Sequence, residues 1–173
     1  SNEGGCLFAH GFANHRKRYH VREFENGIKK KFNSKYCLAV SSGTSAIKIS
    51  LKSLGVGRGD EVITQAFNFV ATIEAIVECG AKPVICDIDE SLNMCHKDVL
   101  KKITKKTKAI LPVHMLGVGA DLNKIFKIAK KFNLKVLEDN CEAVGGKYKN
   151  KYLGVVGHIG VFSFDFSKTI TTG

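Results

Sequence analysis

Residues 122–139 read LNKIFKIAKKFNLKVLED, and this stretch decides the fold. Its first part repeats apolar residues at helical spacing and places lysines on the opposite face, which predicts an amphipathic helix after Asp121. A short apolar segment, 135–138, follows and runs into the acidic residues Glu138 and Asp139. The stretch therefore predicts a helix that leads directly into a buried strand.

The same alternation of helices and strands extends through most of the chain. Beside the helix after Asp121, further helices are predicted over 20–32, 46–54 and 72–79 and just before 109, and further strands over 36–40, 61–64, 83–86, 109–111 and 159–164. Strands that alternate with helices indicate βαβ units. The predicted fold class is therefore α/β, a mostly parallel sheet with helices on both faces, and the absence of a linker-like segment predicts one domain.

Composition narrows the class of protein. The 173 residues contain 27 Lys and Arg against 16 Asp and Glu, a formal net charge of +11, which favours anionic partners. The lysines are dispersed in short groups such as 29–31, so we interpret them as solvated helix faces and predict no nucleic-acid partner.

No apolar run approaches the roughly 20 residues that a bilayer requires, and the polar, glycine-rich start lacks a signal pattern. We therefore predict a cytoplasmic protein without a membrane segment.

The six cysteines show neither a Cys-x-x-Cys pair nor a metal-ligand spacing with the histidines. This pattern predicts free thiols, no disulfide framework and no metal site.

Three loops that follow predicted strands carry the candidate chemistry, because ligands of parallel sheets bind beyond the carboxyl ends of the strands. They are 41–44 (SSGT), 138–142 (EDNCE) and 163–168 (SFDFSK). Each has an ordinary explanation by itself: a helix N-cap, a structural salt bridge and a surface lysine. Together they supply an anion site, a carboxylate and an amine, which is the set that pyridoxal phosphate needs.

Seven segments, in order, carry a family resemblance. They are 21–25 (VREFE), 39–46 (AVSSGTSA), 59–63 (GDEVI), 68–72 (NFVAT), 112–117 (PVHMLG), Glu138-Asp139 and 163–168 (SFDFSK). With these segments the chain resembles the DegT/DnrJ/EryC1/StrS family of pyridoxal-phosphate sugar aminotransferases, which have the aspartate aminotransferase fold. The resemblance spans about residues 20–173.

The resemblance implies roles for residues that would hold the cofactor. Gly43 and Thr44, with Ser163, would bind its phosphate. Phe69, which by itself fits a core position, would stack on the pyridine ring. Asp139 would pair with the pyridinium nitrogen and keep it protonated.

The resemblance also implies the catalytic residue. Lys168 would form the Schiff base with the cofactor and, once displaced, would shuttle a proton in the transfer. Some relatives carry His at this position and perform dehydration, so Lys168 favours transamination. Glu142 falls where relatives carry Gln or His near the ring hydroxyl of the cofactor.

The function implied by the resemblance is transfer of an amino group from an amino acid, glutamate, to a keto group of a nucleotide-linked deoxysugar in surface-polysaccharide or secondary-metabolite biosynthesis. Family members are homodimers and continue into a smaller C-terminal domain. We therefore expect residues 1–173 to be an incomplete large pyridoxal-phosphate-binding domain, truncated before that small domain, with 1–19 as a variable lead-in.

Three alternatives remain from the sequence. The first is a dehydratase of the same family. The second is a non-catalytic relative that serves as a dimer partner or sensor. The third is a basic nucleic-acid or phosphate-binding module.

Overall fold

The structure, a computed structural model, describes residues 19–172. Apart from Tyr19, the predicted lead-in 1–19 lies outside the described residues. The chain divides into two compact units, the first ending at Ala39 and the second beginning at Val40. The prediction of one domain over 1–173 stays a prediction.

The first unit contains the predicted helix 20–32, which is confirmed as α1 (His20–Phe32). Lysines in its last turn suit the negative end of the helix dipole. Asn33, with φ 53°, ends the helix in the left-handed conformation that asparagine tolerates. Beyond it, the backbone N–H of Ala39 donates to Glu25 Oε1 at 2.8 Å.

The predicted strand over 36–40 is wrong. These residues have irregular backbone, and the side chains of Tyr36 and Leu38 are 78% and 72% exposed. An apolar run shows only that a segment suits a strand, whereas a strand also needs a hydrogen-bonded neighbour.

The second unit alternates helices and strands. In chain order its elements are α2 (Gly43–Ser53), β1 (Glu61–Gln65), α3 (Val70–Glu78), β2 (Lys82–Cys86), α4 (His96–Lys102), β3 (Thr107–Leu111), a short 3-10 segment (Met115–Gly117), α5 (Leu122–Phe132), β4 (Lys135–Asp139), β5 (Lys147–Tyr148), β6 (Lys151–Tyr152) and β7 (Ile159–Val161). Every helix and strand predicted in this unit is present, with ends that differ by a few residues. The short antiparallel hairpin β5–β6 is too brief to show a periodic pattern and was missed.

Five of the strands form one parallel sheet in the order β2-β1-β3-β4-β7. All five therefore end at the same edge, where the candidate loops were expected. β7 stops at Val161 rather than at the predicted 164. Val161 pairs with Asp139, the last residue of β4, so the residues after it have no further partner on that strand.

The core lies on both faces of the sheet. Neighbouring strand residues alternate between two clusters: Val62 and Leu137 pack with α2 and α3, whereas Ile63 and Val136 pack with α4 and α5. This period of two is expected of strands covered on both sides, and the predicted α/β class is confirmed. Among residues 19–172, no helix combines the length and apolar character needed to cross a bilayer.

The boundaries of α5 follow from the residues at its two ends. The Asp121 side chain accepts a hydrogen bond from the backbone N–H of Lys124 at 3.2 Å, which caps the first turn. Asn133, with φ 53°, ends the helix. Its apolar face, with Leu122, Ile125 and Ala129, is buried.

Gly160 lets β7 approach the loop before it. A Cβ atom built on Gly160 would collide with the backbone of Gly154, whereas one built on Gly57 meets nothing within 4 Å, and neither glycine has positive φ. We expect Gly160→Ala to lower the free energy of unfolding by about 1–3 kcal/mol or more. Gly57→Ala should leave it unchanged or raise it by about 0.4–1 kcal/mol. Urea denaturation measures both, and equal midpoints would contradict this account of β7.

Candidate active site

The candidate site is built at the carboxyl edge of the sheet. α2 begins there at Gly43, β4 ends there at Asp139, and the chain leaves β7 there toward Ser163 and Lys168. Residues that are as far apart in sequence as Gly43 and Ser163 therefore become neighbours.

The N-terminus of α2 and Ser163 form a small cradle. A Cβ atom on Gly43 would lie 3.1 Å from Cys141 Sγ and 3.3 Å from Ser163 Cβ, so only glycine leaves this space open. Ser163 is 7% exposed, and Thr44 lies half-buried in the first turn of α2. The free backbone N–H groups of a helix N-terminus, together with a hydroxyl, suit an anion. The N-cap explanation also holds in part, since Ser42 Oγ accepts from Ser45 N at 3.1 Å.

Asp139 is the buried carboxylate of the site, 4% exposed. Its Oδ2 accepts from the Thr72 hydroxyl at 3.0 Å, and its Oδ1 accepts from the backbone N–H of Cys141 at 3.1 Å. Two donors orient the group while each oxygen keeps a further acceptor position. Asp139 can therefore accept a hydrogen bond from a ligand.

Cys141 separates this carboxylate from the cradle. Burial, and next the nearby Asp139, raise the pKa of the Cys141 thiol well above its usual range. The side chain is therefore a neutral thiol at neutral pH, hydrogen-bonded to Asp139.

Lys168 reaches the same edge from the chain after β7. Its Nζ lies 3.8 Å from Glu142 Oε1 and 5.3 Å from the centre of the Phe69 ring. The Lys168 side chain is 17% exposed, whereas Phe69 is 58% exposed at the start of α3. Phe69 therefore does not belong to the core. Lys168 is largely buried, so it is not an ordinary solvent-exposed lysine.

An open cavity of about 490 Å³ adjoins the amine. Lys168 and Glu142 line it with Leu116, which follows β3, so loops after three strands contribute. Among residues 19–172, no group of three or more His, Cys, Asp or Glu side chains could hold a metal ion.

Glu138 points to the other side of β4 and is fully buried. Its carboxylate accepts hydrogen bonds from His114 Nε2 at 3.0 Å, from Gly154 N at 3.0 Å, from Val156 N at 2.7 Å and from Gly157 N. His114 Nδ1 accepts from the backbone N–H of Ala120, so the ring donates to Glu138 through Nε2. The salt bridge considered for the acidic loop is thus present at Glu142, which pairs with Lys168, whereas Glu138 is held by His114 and by three backbone N–H groups.

The structure brings the predicted site residues Gly43, Ser163, Asp139, Glu142 and Lys168 to one edge of the sheet. Sequence reasoning missed the partners that hold them. Thr72 lies 67 positions from Asp139, and no local pattern links the two. Its signals were its place in the segment 68–72 (NFVAT) and in the first turn of a helix that starts at the same edge as the other candidates.

The fold and this edge define a class, the pyridoxal-phosphate-dependent aminotransferases with the aspartate aminotransferase fold. The chain matches the DegT/DnrJ/EryC1/StrS aminotransferase family over residues 12–173, and it belongs to that family.

Comparison with individual proteins agrees. The chain is 44% identical over 158 residues to GDP-perosamine synthase of Escherichia coli O157:H7, covering 91% of this chain and 43% of the relative. The crystal structure of an aminotransferase from Psychrobacter cryohalolentis matches with a TM-score of 0.86 and 40% identity, over 88% of this chain and 39% of that one. E. coli GDP-4-keto-6-deoxy-D-mannose-3-dehydratase with bound hydrated pyridoxal phosphate matches with a TM-score of 0.83 and 33% identity, over 90% and 42%. The chain thus spans less than half the length of these proteins.

The buried carboxylate of Glu138 should make stability depend on acid pH. Burial raises its pKa, but hydrogen bonds from His114, Gly157 and Gly154 outweigh burial and hold the pKa below its ordinary value. Because the folded pKa is depressed, the stabilisation is complete above the unfolded value of about 4.3 and is lost as pH falls through the folded pKa. Urea denaturation between about pH 6 and pH 3 measures this loss.

Glu138→Gln should be less stable at neutral pH and should lose less stability on acidification. Glu74→Gln, at an exposed glutamate of α3, serves as the control and should follow the unaltered chain. Parallel acid profiles for Glu138→Gln and the unaltered chain would show that this carboxylate is not the source.

Proposed function

We propose that this chain is the cofactor-binding portion of a pyridoxal-phosphate-dependent aminotransferase. It moves an amino group from an amino acid, glutamate, to a keto group of a nucleotide-linked deoxysugar. One observation carries the proposal: the Lys168 amine, the Asp139 carboxylate and the Gly43–Ser163 cradle share one edge of a parallel sheet. Such a trio matches the aldehyde, the ring nitrogen and the phosphate of the cofactor.

The cradle fits the cofactor phosphate. Gly43 leaves open the space that any Cβ would fill, and the buried Ser163 supplies a hydroxyl beside it. Gly43 and Thr44 lie in the first turn of α2, where backbone N–H groups and the helix dipole favour a phosphate.

Asp139 and Phe69 fit the ring. Asp139 would accept the hydrogen bond of the protonated ring nitrogen, and the donors Thr72 and Cys141 N would hold the carboxylate in place for it. The exposed Phe69 offers its ring face next to Lys168 Nζ, where a flat ligand attached to the amine could stack on it.

Pyridoxal phosphate, when bound, supplies an electron-withdrawing ring that stabilises negative charge on the carbon that gains or loses the amino group. Lys168 Nζ would hold the cofactor covalently and later, as a free amine, move a proton between the amino-acid α-carbon and the cofactor. Glu142 Oε1, at 3.8 Å from this nitrogen, would orient the amine from the cavity side.

The substrate class follows from charge and from the relatives. A chain of +11 suits the diphosphate of a nucleotide sugar. The relatives named above include a GDP-perosamine synthase and a dehydratase of GDP-4-keto-6-deoxy-D-mannose. We therefore propose a GDP-linked 4-keto-6-deoxy sugar as the first acceptor to test, with surface-polysaccharide biosynthesis in the cytoplasm as the setting.

A second copy of the chain would complete the site. Large apolar side chains stay exposed near Lys168: Leu116, which lines the cavity, is 69% exposed, Phe69, whose ring centre lies 5.3 Å from Lys168 Nζ, is 58% exposed, and Phe166, two residues before Lys168 in the chain, is 80% exposed. Exposed apolar groups clustered at one place favour a protein interface, here that of a homodimer.

Labelling with pyridoxal phosphate tests the proposal. We expect incubation with the cofactor, borohydride reduction, digestion and mass spectrometry to locate one pyridoxyl group on Lys168. Lys168→Ala should lose the label, whereas Lys124→Ala, at an exposed helix lysine, should keep it. A folded chain with no label, or with label scattered over many lysines, would contradict the proposal and favour a non-catalytic relative.

The cradle predicts a selective loss of phosphate recognition. Gly43→Ala would place a methyl group against Cys141 and Ser163. We expect affinity for pyridoxal phosphate to fall by about 10-fold or more, the loss of one or two hydrogen bonds to a charged group. Affinity for pyridoxal, which lacks the phosphate, should not change.

Equilibrium dialysis with both compounds measures the effect. Gly27→Ala, within α1 where a Cβ meets nothing within 4 Å, is the control and should bind both as before. An equal loss for both compounds in Gly43→Ala would place the phosphate elsewhere.

A further inference from the structure

Leu116 combines two features that each disfavour leucine. Its side chain is 69% exposed, and its backbone adopts the left-handed conformation, with φ 51° and ψ 31°. Residues other than glycine rarely adopt this conformation, and among them asparagine and aspartate tolerate it best. Neither solvent nor local backbone geometry therefore explains a leucine at this position.

Buried polar side chains impose the conformation of this loop. Gln65 Oε1 accepts from the backbone N–H of Val113 at 3.1 Å, and Asn93 Oδ1 accepts from that of Met115 at 3.2 Å. Between them, the buried His114 ring is held by Glu138 and Ala120. The backbone is thus fixed immediately before Leu116, and the strain is built into the fold.

Leu116 also adjoins the reactive groups. It lines the same cavity as Lys168 and Glu142. Its backbone N–H donates to Glu142 Oε2 at 3.5 Å, and the other oxygen of that carboxylate lies 3.8 Å from Lys168 Nζ. Leu116 therefore lies on the cavity wall, and a single carboxylate, that of Glu142, bridges it to the Lys168 amine.

Other left-handed positions of the chain show the contrast. At the ends of α1 and α5, where nothing but a helix stop is needed, Asn33 and Asn133 take the same backbone conformation. Leu92, with φ 61° and 42% exposure, follows β2 at the opposite edge strand of the sheet from β7 and does not line this cavity. It is a matched leucine outside the site.

We propose that Leu116 is a specificity-determining residue that packs against the C–H face of the keto sugar held beside Lys168. This inference rests on the proposed aminotransferase function. A pyranose ring presents carbon-bound hydrogens on its faces and hydroxyl groups at its edge, so an exposed apolar side chain on the cavity wall can select the face and the substituents next to the reacting carbonyl. The strain at Leu116 is then retained because the side chain contacts the ligand.

Calorimetric binding to the chain loaded with pyridoxal phosphate and reduced with borohydride tests this assignment, because no turnover occurs in that form. The probes are GDP-4-keto-6-deoxy-D-mannose and GDP. Leu116→Asn should weaken binding of the sugar nucleotide by roughly 10- to 100-fold, as expected for losing a buried leucine contact. Binding of GDP should stay within about threefold, because the contact is with the sugar.

Three controls separate ligand contact from structure. Leu116→Met, which conserves volume, should bind the sugar nucleotide within about threefold of the unaltered chain. Leu92→Asn should leave both affinities unchanged. Both Asn variants should keep the melting temperature within about 3 °C or raise it, since asparagine suits the left-handed conformation.

Each contrary result has its own meaning. Unchanged sugar-nucleotide affinity in Leu116→Asn would overturn the assignment and leave the proposed function standing. A larger fall in melting temperature for Leu116→Asn than for Leu92→Asn, or a change in sedimentation, would make Leu116 a structural or interface residue. If the unaltered chain is labelled at Lys168 but does not bind the sugar nucleotide, the assignment and the proposed substrate fail together while the cofactor site stands.

Discussion

A fully buried carboxylate, Glu138, holds the site together. Glu138 carries its negative charge inside the protein and accepts hydrogen bonds from His114 Nε2 and from the backbone N–H groups of Gly154, Val156 and Gly157. Removing a charge from water is expensive, so these donors must all stay in place. Through them, one side chain ties the end of β4 to the loop after β3 and to the chain that enters β7.

Asp139 gains its role from being the neighbour of Glu138. Successive residues of a strand point to opposite faces, so the same short segment anchors the sheet on one side and places the Asp139 carboxylate at the candidate site on the other. The Asp139 backbone also pairs with Val161 and with the segment before His114. Movement of this strand end would therefore displace the cradle, the cavity wall and the carboxylate together.

The prediction from sequence succeeded where structure follows from local pattern. α5 and β4 were predicted because the spacing of their apolar residues acts within a few positions of the chain. The prediction failed at 36–40, where a strand depends on a partner that local pattern does not reveal, and at the brief hairpin β5–β6. The candidate loops were found because parallel strands end at one edge, a rule that needs no coordinates.

The sequence by itself determined the α/β class, the family and the residue types available to the site, since periodicity and motifs are local properties. Only the tertiary structure decided which groups meet. The Thr72 hydroxyl donates to Asp139, and Cys141 Sγ packs against Gly43. Leu116 adopts a strained left-handed backbone conformation on the cavity wall. Such contacts join residues from different strands and helices, and their distances depend on how the whole sheet packs.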